Sequence, residues 1–190
     1  MRLTDDISAR LRSVRLLAMD VDGVLTDGRL AYDERGGGLK LFHVADGMGL
    51  AILCFADIDT AWISGRTSSA VFNRAADLHI THVQQGVRDK GSALRALAGQ
   101  CGISREAIAF VGDDWNDLTA FEESGVCIAV KDAVAELRQA ADLVTDRPGG
   151  HGAVREVCEA LLEALGLRQI VLERYLKSLK DARLNGPIGQ

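Results

Sequence analysis

The chain has 190 residues, of which 47% are hydrophobic and 26% are charged, and its formal net charge is −5 at pH 7. This composition is typical of a soluble globular protein with one sizeable core, and it excludes a mainly disordered chain. The acidic balance argues against a nucleic-acid-binding protein, and the sequence holds no apolar run long enough to cross a membrane.

The chain begins with a charged, amphipathic segment, residues 1–15, which lacks the apolar stretch of a secretory signal. The cysteines are far apart and sit in apolar surroundings, which predicts reduced core residues and a cytoplasmic protein. They are Cys54, Cys101, Cys127 and Cys158.

The rest of the chain alternates short apolar runs with helical stretches of about ten residues. The predicted strands are 16–19, 60–63, 80–84, 108–111, 126–130 and 143–145. The predicted helices are 47–56, 68–78, 89–100, 116–123, 133–140, 154–165 and 169–180. Segments 30–32 and 39–44 flank a glycine-rich turn, which predicts a β-hairpin flap.

This alternation predicts a Rossmann-like α/β fold, a doubly wound parallel sheet with helices on both faces. We expect one domain over residues 1–190, with a core of about 14–165 and a C-terminal helix and tail over 166–190. Ligands of such sheets bind beyond the carboxyl ends of the strands, so the residues that follow each strand are the candidates for function.

Polar residues follow the predicted strands in turn. Asp20 and Asp22 come after the first strand, and on an extended segment their side chains point to the same side. The other strands lead to Ser64, Gly65 and Arg66, to Lys90, to Gly112–Asp117, and to Gly149–Gly152.

Crowded carboxylates repel one another unless a cation lies among them, and hard oxygen ligands suit Mg²⁺. Lys90 would offset charge on a phosphoryl group, and Ser64 would donate a hydrogen bond to it. The set predicts metal-assisted phosphoryl transfer through an aspartyl phosphate. Each short motif alone is explained as well by a turn or a cap, but four in order, each after an apolar strand, are not.

These motifs resemble those of the haloacid dehalogenase superfamily of phosphatases over roughly residues 14–158. The resemblance implies that Asp20 is the nucleophile and that Asp22 is the general acid and base. It also implies that Mg²⁺ is held by Asp20, the backbone carbonyl of Asp22 and Asp113. The residues implied to support this centre are Asp114, Asn116 and Asp117.

Neither interval between the motifs has room for a cap domain, which needs roughly 50 residues. The 44 positions from Asp20 to Ser64 already hold a hairpin and a helix, and the 26 from Ser64 to Lys90 hold one helix and one strand. A capless site is either open to a large substrate or closed by a neighbouring subunit. The hairpin over 30–42 and the tail after Lys180 are the candidates to close it.

Finer similarity points to one capless family, the 3-deoxy-D-manno-octulosonate 8-phosphate phosphatases. The chain resembles them in DVDGVLTDG, LKLFHVADGMG, ISGR, HVQQGVRDK, FVGDDWND and GGHGAVREVC. The resemblance implies a phosphorylated eight-carbon sugar acid as substrate, a role in lipopolysaccharide synthesis, and a homotetramer with a central barrel of hairpins. The candidates to bind substrate are Gly65, Arg66, Gly150 and His151.

Two positions depart from that family. Many members carry Arg where this chain has Ala45, and Arg or Lys where it has His151. Because a sugar carboxylate needs cationic or backbone donors, a nine-carbon (sialic acid-type) sugar-acid 9-phosphate stays open as the substrate. An inactive oligomeric scaffold of the same fold is a third interpretation, which the complete set of catalytic residues argues against.

Overall fold

Helices and strands alternate along the chain in the computed structural model, which describes residues 1, 3–32, 34 and 38–184. The helices are α1 (Asp5–Leu11), α2 (Val44–Leu53), α3 (Ser69–Asp77), α4 (Lys90–Cys101), α5 (Leu118–Glu122), α6 (Ala135–Ala140), α7 (Ala153–Ala164) and α8 (Arg168–Leu184). The strands are β1 (Leu16–Met19), β2 (Ala31–Tyr32), β3 (Gly38–Leu39), β4 (Asp59–Ser64), β5 (His82–Gln85), β6 (Ile108–Gly112), β7 (Val126–Ala129) and β8 (Leu143–Val144).

Six strands form one parallel sheet in the order β5-β4-β1-β6-β7-β8. Strand β1 lies in the middle, with Leu16 opposite Asp59 of β4 and Ile108 of β6. All four residues of β1 are buried, as expected for a parallel strand covered on both faces. The predicted doubly wound α/β fold is therefore confirmed.

The helices pack in two groups, one made of α1, α2, α7 and α8 and the other of α4, α5 and α6. The contact between α2 and α7 is close because glycine leaves room for it. A Cβ added at Gly49 would lie 3.1 Å from Cα of Arg155. Between Ser64 and Lys90, a fully described stretch, the structure has only α3 and β5, so no cap domain is inserted there.

Strands β2 and β3 form the predicted hairpin, with Ala31 opposite Leu39. Each is only two residues long, and the second ends well before the predicted residue 44. Helix α2 begins at Val44 instead, because the His43 ring accepts a hydrogen bond from the backbone of Ala45 and caps the helix. Much of the glycine-rich turn lies outside the described residues.

One helix was not predicted, and one further prediction needs correction. The amphipathic start of the chain forms a helix, α1, in which Ile7 and Leu11 are buried and Thr4 caps the N-terminus. All four cysteines are free, but the prediction that they are core residues is wrong for Cys54, which is exposed. Helix α2 turns Leu50 and Leu53 towards the core, so the next residue faces solvent.

The C-terminal helix α8 runs to Leu184, four residues beyond its predicted end. Residues 185–190 of the predicted closing tail lie outside the described part of the chain. Among the described helices, none is both long and apolar enough to span a bilayer. The division into a core of about 14–165 and an appendage over 166–190 stays a prediction.

Candidate active site

Polar residues meet where three neighbouring strands end. Asp20 directly follows β1, Ser64 is the last residue of β4, and Asp113 directly follows β6. They open on a cavity of about 230 Å³ at the carboxyl edge of the sheet. Its lining residues are Asp20, Asp22, Ser64, Gly65, Arg66, Asp113, Asp114 and Asn116. Eight residues that sequence reasoning singled out therefore share one cavity.

Lys90, at the start of α4, is the cation beneath this cavity. Its Nζ lies 2.9 Å from Oδ1 of Asp20 and 2.6 Å from Oδ1 of Asp117. All three residues are buried. Burial alone would lower the pKa of Lys90, but the two carboxylates outweigh it and raise that pKa. The lysine is therefore charged, and it fixes the Asp20 carboxylate in one place.

Asp117 supports the loop that carries Asp113. Its Oδ2 accepts hydrogen bonds from the backbone N–H of Asp113 at 2.9 Å and of Asp114 at 3.3 Å. Gly112 makes this packing possible, because a Cβ there would lie 2.6 Å from Cβ of Asp117. With Lys90 on its other oxygen, Asp117 has both carboxylate oxygens occupied.

Asp113 is the carboxylate whose position calls for a cation. Its Oδ1 is buried and has no hydrogen-bond partner within the described residues. The same is true of Oδ2 of Asp22. Burial, together with the charges of Asp20 and Asp117, raises the pKa of Asp113 to about 8. Oxygen atoms of Asp20, Asp113 and Asp117 lie within 4.8 Å of one another. Because Asp117 already uses both of its oxygens, Asp20 and Asp113 are the carboxylates that fit a hard divalent ion.

Gly23 allows Asp113 to approach the loop after β1. Its φ of +95° lies in the region that favours glycine, and a Cβ there would lie 2.0 Å from Oδ2 of Asp113. The turn is closed by Thr26, whose hydroxyl accepts a hydrogen bond from the backbone of Gly23 at 3.3 Å. The two acidic loops therefore meet without a side chain between them.

Asp20 is a buried carboxylate of the site whose pKa lies below neutral pH. Burial raises its pKa to about 6, although the charge of Lys90 works against that rise. The carboxylate is therefore mainly ionised at pH 7. Ser64 lines the same cavity and is buried, and its Oγ accepts a hydrogen bond from the backbone of Arg66 at 3.2 Å. Its hydroxyl hydrogen is available to an anion in the cavity.

Lys40 is a site residue that sequence reasoning missed. It follows β3 and forms an ion pair with Oδ1 of Asp22, and its side chain is only 7% exposed. A second cavity of about 260 Å³, between the hairpin and the loop after β4, is lined by both Lys40 and Arg66. The signal was a basic residue in LKLF, on the very hairpin predicted to close an acidic site.

The remaining candidates lie at the edges of the site. Arg66 is exposed, and its Nη1 donates to the Tyr32 hydroxyl of the hairpin at 3.4 Å. Trp115, within the fourth motif, is also exposed rather than in the core. Gly150 and His151 are not among the residues that line the catalytic cavity, and the His151 ring lies 6.5 Å from that of His43. Their contact with substrate stays a prediction.

Comparison with known proteins agrees with this geometry. Residues 64–157 match a family of haloacid dehalogenase-like hydrolases. The 3-deoxy-D-manno-octulosonate 8-phosphate phosphatase of Haemophilus influenzae is 41% identical over 174 residues, which cover 90% of this chain and 97% of that protein. The enzyme of the same name from Escherichia coli strain K12 is 44% identical over 161 residues, covering 85% of this chain and 86% of that one.

Solved structures give the same result. The crystal structure of the Moraxella catarrhalis enzyme of that name, in complex with a magnesium ion, a phosphate ion and a KDO molecule, is similar at a TM-score of 0.88. The two sequences are 39% identical, and the match covers 91% of this chain and 99% of that one. The cobalt-bound form of the Haemophilus influenzae phosphatase is similar at a TM-score of 0.80 and 43% identity, covering 83% of this chain and 92% of that one.

Proposed function

The chain belongs to the family of the 3-deoxy-D-manno-octulosonate 8-phosphate phosphatases, and from this we propose that it hydrolyses that sugar-acid phosphate to the free sugar acid and phosphate. One observation carries the proposal above the others. A buried lysine fixes the carboxylate of Asp20 in the lining of a cavity whose walls also hold Asp22, Ser64 and Asp113. These are the parts that a phosphomonoesterase with a carboxylate nucleophile requires.

Asp20 is the nucleophile. An oxygen of its carboxylate forms a bond to phosphorus while the bond from phosphorus to the sugar oxygen breaks, which leaves a phosphoryl group on Asp20. Asp22 donates a proton from Oδ2, the oxygen that Lys40 leaves free, to the departing alkoxide. It then takes a proton from the water that attacks phosphorus, which breaks the bond from phosphorus to Asp20 and releases phosphate. Lys90 and Ser64 stabilise the negative charge on the phosphoryl oxygens.

Mg²⁺ is the cofactor, and Asp20, Asp113 and the backbone carbonyl of Asp22 would hold it. The unpartnered buried oxygen of Asp113 supports this set, whereas Asp117 already uses both of its oxygens on Lys90 and the loop amides. When bound, the ion neutralises the crowded carboxylates and the charge of the phosphoryl group.

The sugar acid is bound by groups around the mouth of the site. Arg66 lines both cavities, while Gly65 lines the catalytic cavity and Lys40 the second one. Cationic and backbone donors of this kind suit a carboxylate. Gly150 and His151 are placed on the loop before α7, next to the foot of the hairpin. We include them as outer contacts of the substrate.

We further propose that the enzyme is a cytoplasmic homotetramer acting in lipopolysaccharide synthesis, and that hairpins of neighbouring subunits close its sites. The support is the apolar surface that the hairpin exposes. Tyr32 is 63% exposed, Leu39 66% and Leu41 82%. Three large apolar side chains exposed on one hairpin indicate an interaction surface, whereas single exposed apolar residues do not. The C-terminal tail is proposed to help in closing a neighbouring site.

A nine-carbon sugar-acid 9-phosphate is the second candidate substrate, and the departures at Ala45 and His151 favour it. Ala45 lies in the first turn of α2, beside the His43 ring. Neither position supplies the permanent cation that many family members have there. The absence of these two cations would weaken binding of the carboxylate of the eight-carbon sugar acid. It would leave the proposed catalytic residues unchanged.

Phosphate release from three substrates tests the proposal. They are 3-deoxy-D-manno-octulosonate 8-phosphate, a nine-carbon sugar-acid 9-phosphate and 4-nitrophenyl phosphate, each with Mg²⁺ and with chelator. We expect Mg²⁺-dependent turnover with a marked preference for the eight-carbon compound. Preference for the nine-carbon compound would keep the mechanism and replace the substrate. If none of the three substrates is turned over, the proposal that the protein is a phosphatase is wrong. The inactive oligomeric scaffold is then the interpretation that remains.

A further inference from the structure

The loop before α7, residues 149–152, lies against the back of the catalytic loop. The backbone N–H of Gly150 donates to the carbonyl of Val24 at 2.9 Å. A Cβ at Gly149 would lie 1.7 Å from the carbonyl oxygen of Gly23, and one at Gly150 would lie 2.3 Å from the backbone nitrogen of Asp27. We call residues 149–152 the glycine loop. It contacts the chain just before the hairpin begins.

The same loop also contacts the chain just after the hairpin ends. Asp46, in the first turn of α2, is only 1% exposed. Its Oδ2 accepts a hydrogen bond from the backbone of Gly152 at 3.1 Å, and its Oδ1 accepts one from the backbone of Arg155 at 2.8 Å. Gly152 is the N-cap of α7 and has no side chain of its own to cap it, so Asp46 does so from 106 residues away.

Both ends of the hairpin segment, residues 28–43, are therefore held by one loop. Val24 is held just before the segment through its carbonyl, and Asp46 just after it through its carboxylate. Between these two ends, Lys40 forms an ion pair with Asp22, and the Tyr32 hydroxyl accepts a hydrogen bond from Arg66. A shift of either end moves these groups relative to the cavity.

We propose that Asp46 is a positioning residue, which holds the hairpin over the active site through the glycine loop and so sets the affinity for the sugar-acid part of the substrate. The named substrate rests on the proposed function. Asp46 does not reach the reacting atoms, since it is not among the residues that line either the catalytic cavity or the hairpin cavity. Its effect should therefore fall on KM more than on kcat.

The test compares Asp46→Asn with Asp142→Asn. Asp142 also accepts a backbone hydrogen bond, from Cys127 at 2.8 Å, and it pairs with Arg10 at 2.7 Å. It lies at the amino end of β8, whereas the catalytic cavity lies at the carboxyl edge of the sheet. The amide introduced by Asp46→Asn would set an N–H₂ group against one of the two backbone N–H donors. Each variant is assayed with the eight-carbon sugar-acid phosphate and with 4-nitrophenyl phosphate, and hydrogen exchange is measured over residues 28–43.

For Asp46→Asn we expect KM for the sugar-acid phosphate to rise about tenfold, with kcat and the KM for 4-nitrophenyl phosphate changed less than about threefold. Exchange over residues 28–43 should become faster. Asp142→Asn should lower Tm and change none of these. An Asp46 variant that loses only Tm, or that raises both KM values equally, overturns the proposal.

If the wild-type enzyme does not turn over the sugar-acid phosphate, the proposed function fails on its own. The exchange measurement then still decides the positioning role, because faster exchange in Asp46→Asn than in Asp142→Asn supports it and equal exchange refutes it. Should Asp46→Asn fail to fold, Asp46→Glu replaces it, because it keeps the charge and displaces the carboxylate by one methylene. The same readouts apply.

Discussion

The catalytic edge of the sheet and the hairpin above it distribute polar and apolar groups in opposite ways. At the edge, Asp20, Lys90 and Asp117 are buried, and each contacts a partner of opposite charge. On the hairpin, Tyr32 and Leu41 are exposed to solvent although they are apolar. Buried charges are tolerated only when they are paired. A large apolar patch that is exposed on a single chain marks a surface that a partner covers.

This difference separates chemistry from selectivity. The groups that we propose to break the phosphate ester lie in one chain and are held by its core, so one subunit suffices to build them. The described strands of the hairpin, β2 and β3, are exposed throughout and so bury no core of their own. We therefore expect substitutions at the edge to affect kcat, and substitutions on the hairpin to affect KM and assembly.

Asp20→Asn should show the largest effect. An amide is a far weaker nucleophile than a carboxylate, so kcat should fall by at least about 10⁴-fold while Tm changes little. Phosphate release and thermal melting measure the two quantities. Asp27→Asn is the control, because its carboxylate lies in the same segment and contacts Arg29. Turnover by Asp20→Asn within tenfold of wild type would refute a nucleophilic role.

Lys90→Met should lose both activity and stability. Removing the cation leaves Asp20 and Asp117 buried without their shared partner, which costs about 3–5 kcal/mol in the free energy of unfolding. We expect kcat to fall by about 10³-fold because the charge on the phosphoryl group is no longer offset. Urea unfolding and steady-state kinetics measure both losses.

Arg95→Met on the same helix provides the control for this variant. Arg95 is exposed and pairs with Glu123 away from the site, so its loss should leave kcat and the unfolding midpoint unchanged. If Lys90→Met were as stable as wild type, the buried pair would not be what holds the edge together.

The double variant Leu39→Ser, Leu41→Ser tests the other side of the comparison. We expect the oligomer to dissociate in analytical ultracentrifugation and KM for the sugar-acid phosphate to rise about tenfold, with kcat for 4-nitrophenyl phosphate unchanged within about threefold. Leu179→Ser, on the exposed side of α8, is the matched control. An unchanged oligomer would show that the exposed hairpin is not the assembly surface.

The smallest effect concerns pH and metal. Burial raises the pKa of Asp113 to about 8 and that of Asp20 to about 6, both above the value of about 3.9 for an unfolded Asp. These groups therefore stabilise the metal-free fold at low pH, and this contribution is lost as the pH rises towards 8. Because Mg²⁺ binds the ionised carboxylates, the gain in Tm on adding Mg²⁺ should be larger at pH 8 than at pH 6, by about 2–4 °C.

Asp113→Asn should remove most of that pH dependence, which differential scanning calorimetry in chelator and in Mg²⁺ would reveal. An equal gain in Tm at the two pH values would mean that the crowded carboxylates are not the metal's ligands.

The parts of the molecule that follow from local pattern could be predicted from the sequence. The apolar run at 16–19 predicts strand β1 at its observed bounds, because a strand buried on both faces is a continuous apolar run. The residues after β1, β4 and β6 meet at one cavity as expected, since parallel strands present their carboxyl ends together.

What could not be predicted depends on how separate segments pack. The partner of Asp22 is Lys40, and only the folding back of the hairpin brings them together. Cys54 is exposed because of the way in which α2 packs on α7. Its neighbours in AILCFA are apolar whichever side of the helix meets α7, so the local sequence could not show this. The capping of α7 by Asp46 joins residues 106 positions apart.

The glycine loop holds the chain on both sides of the hairpin through main-chain N–H groups and one carboxylate, none of which belongs to the hairpin itself. Apart from Lys40, which pairs with Asp22, and His43, which caps α2, the sequence between residues 28 and 43 is therefore free to vary without disturbing its own attachment. Evolution could exchange this segment as a cassette, and a hairpin grafted from a relative with another substrate should bring its selectivity with it. The graft would leave Asp20, Lys90 and Asp113, which lie outside the segment, as they are.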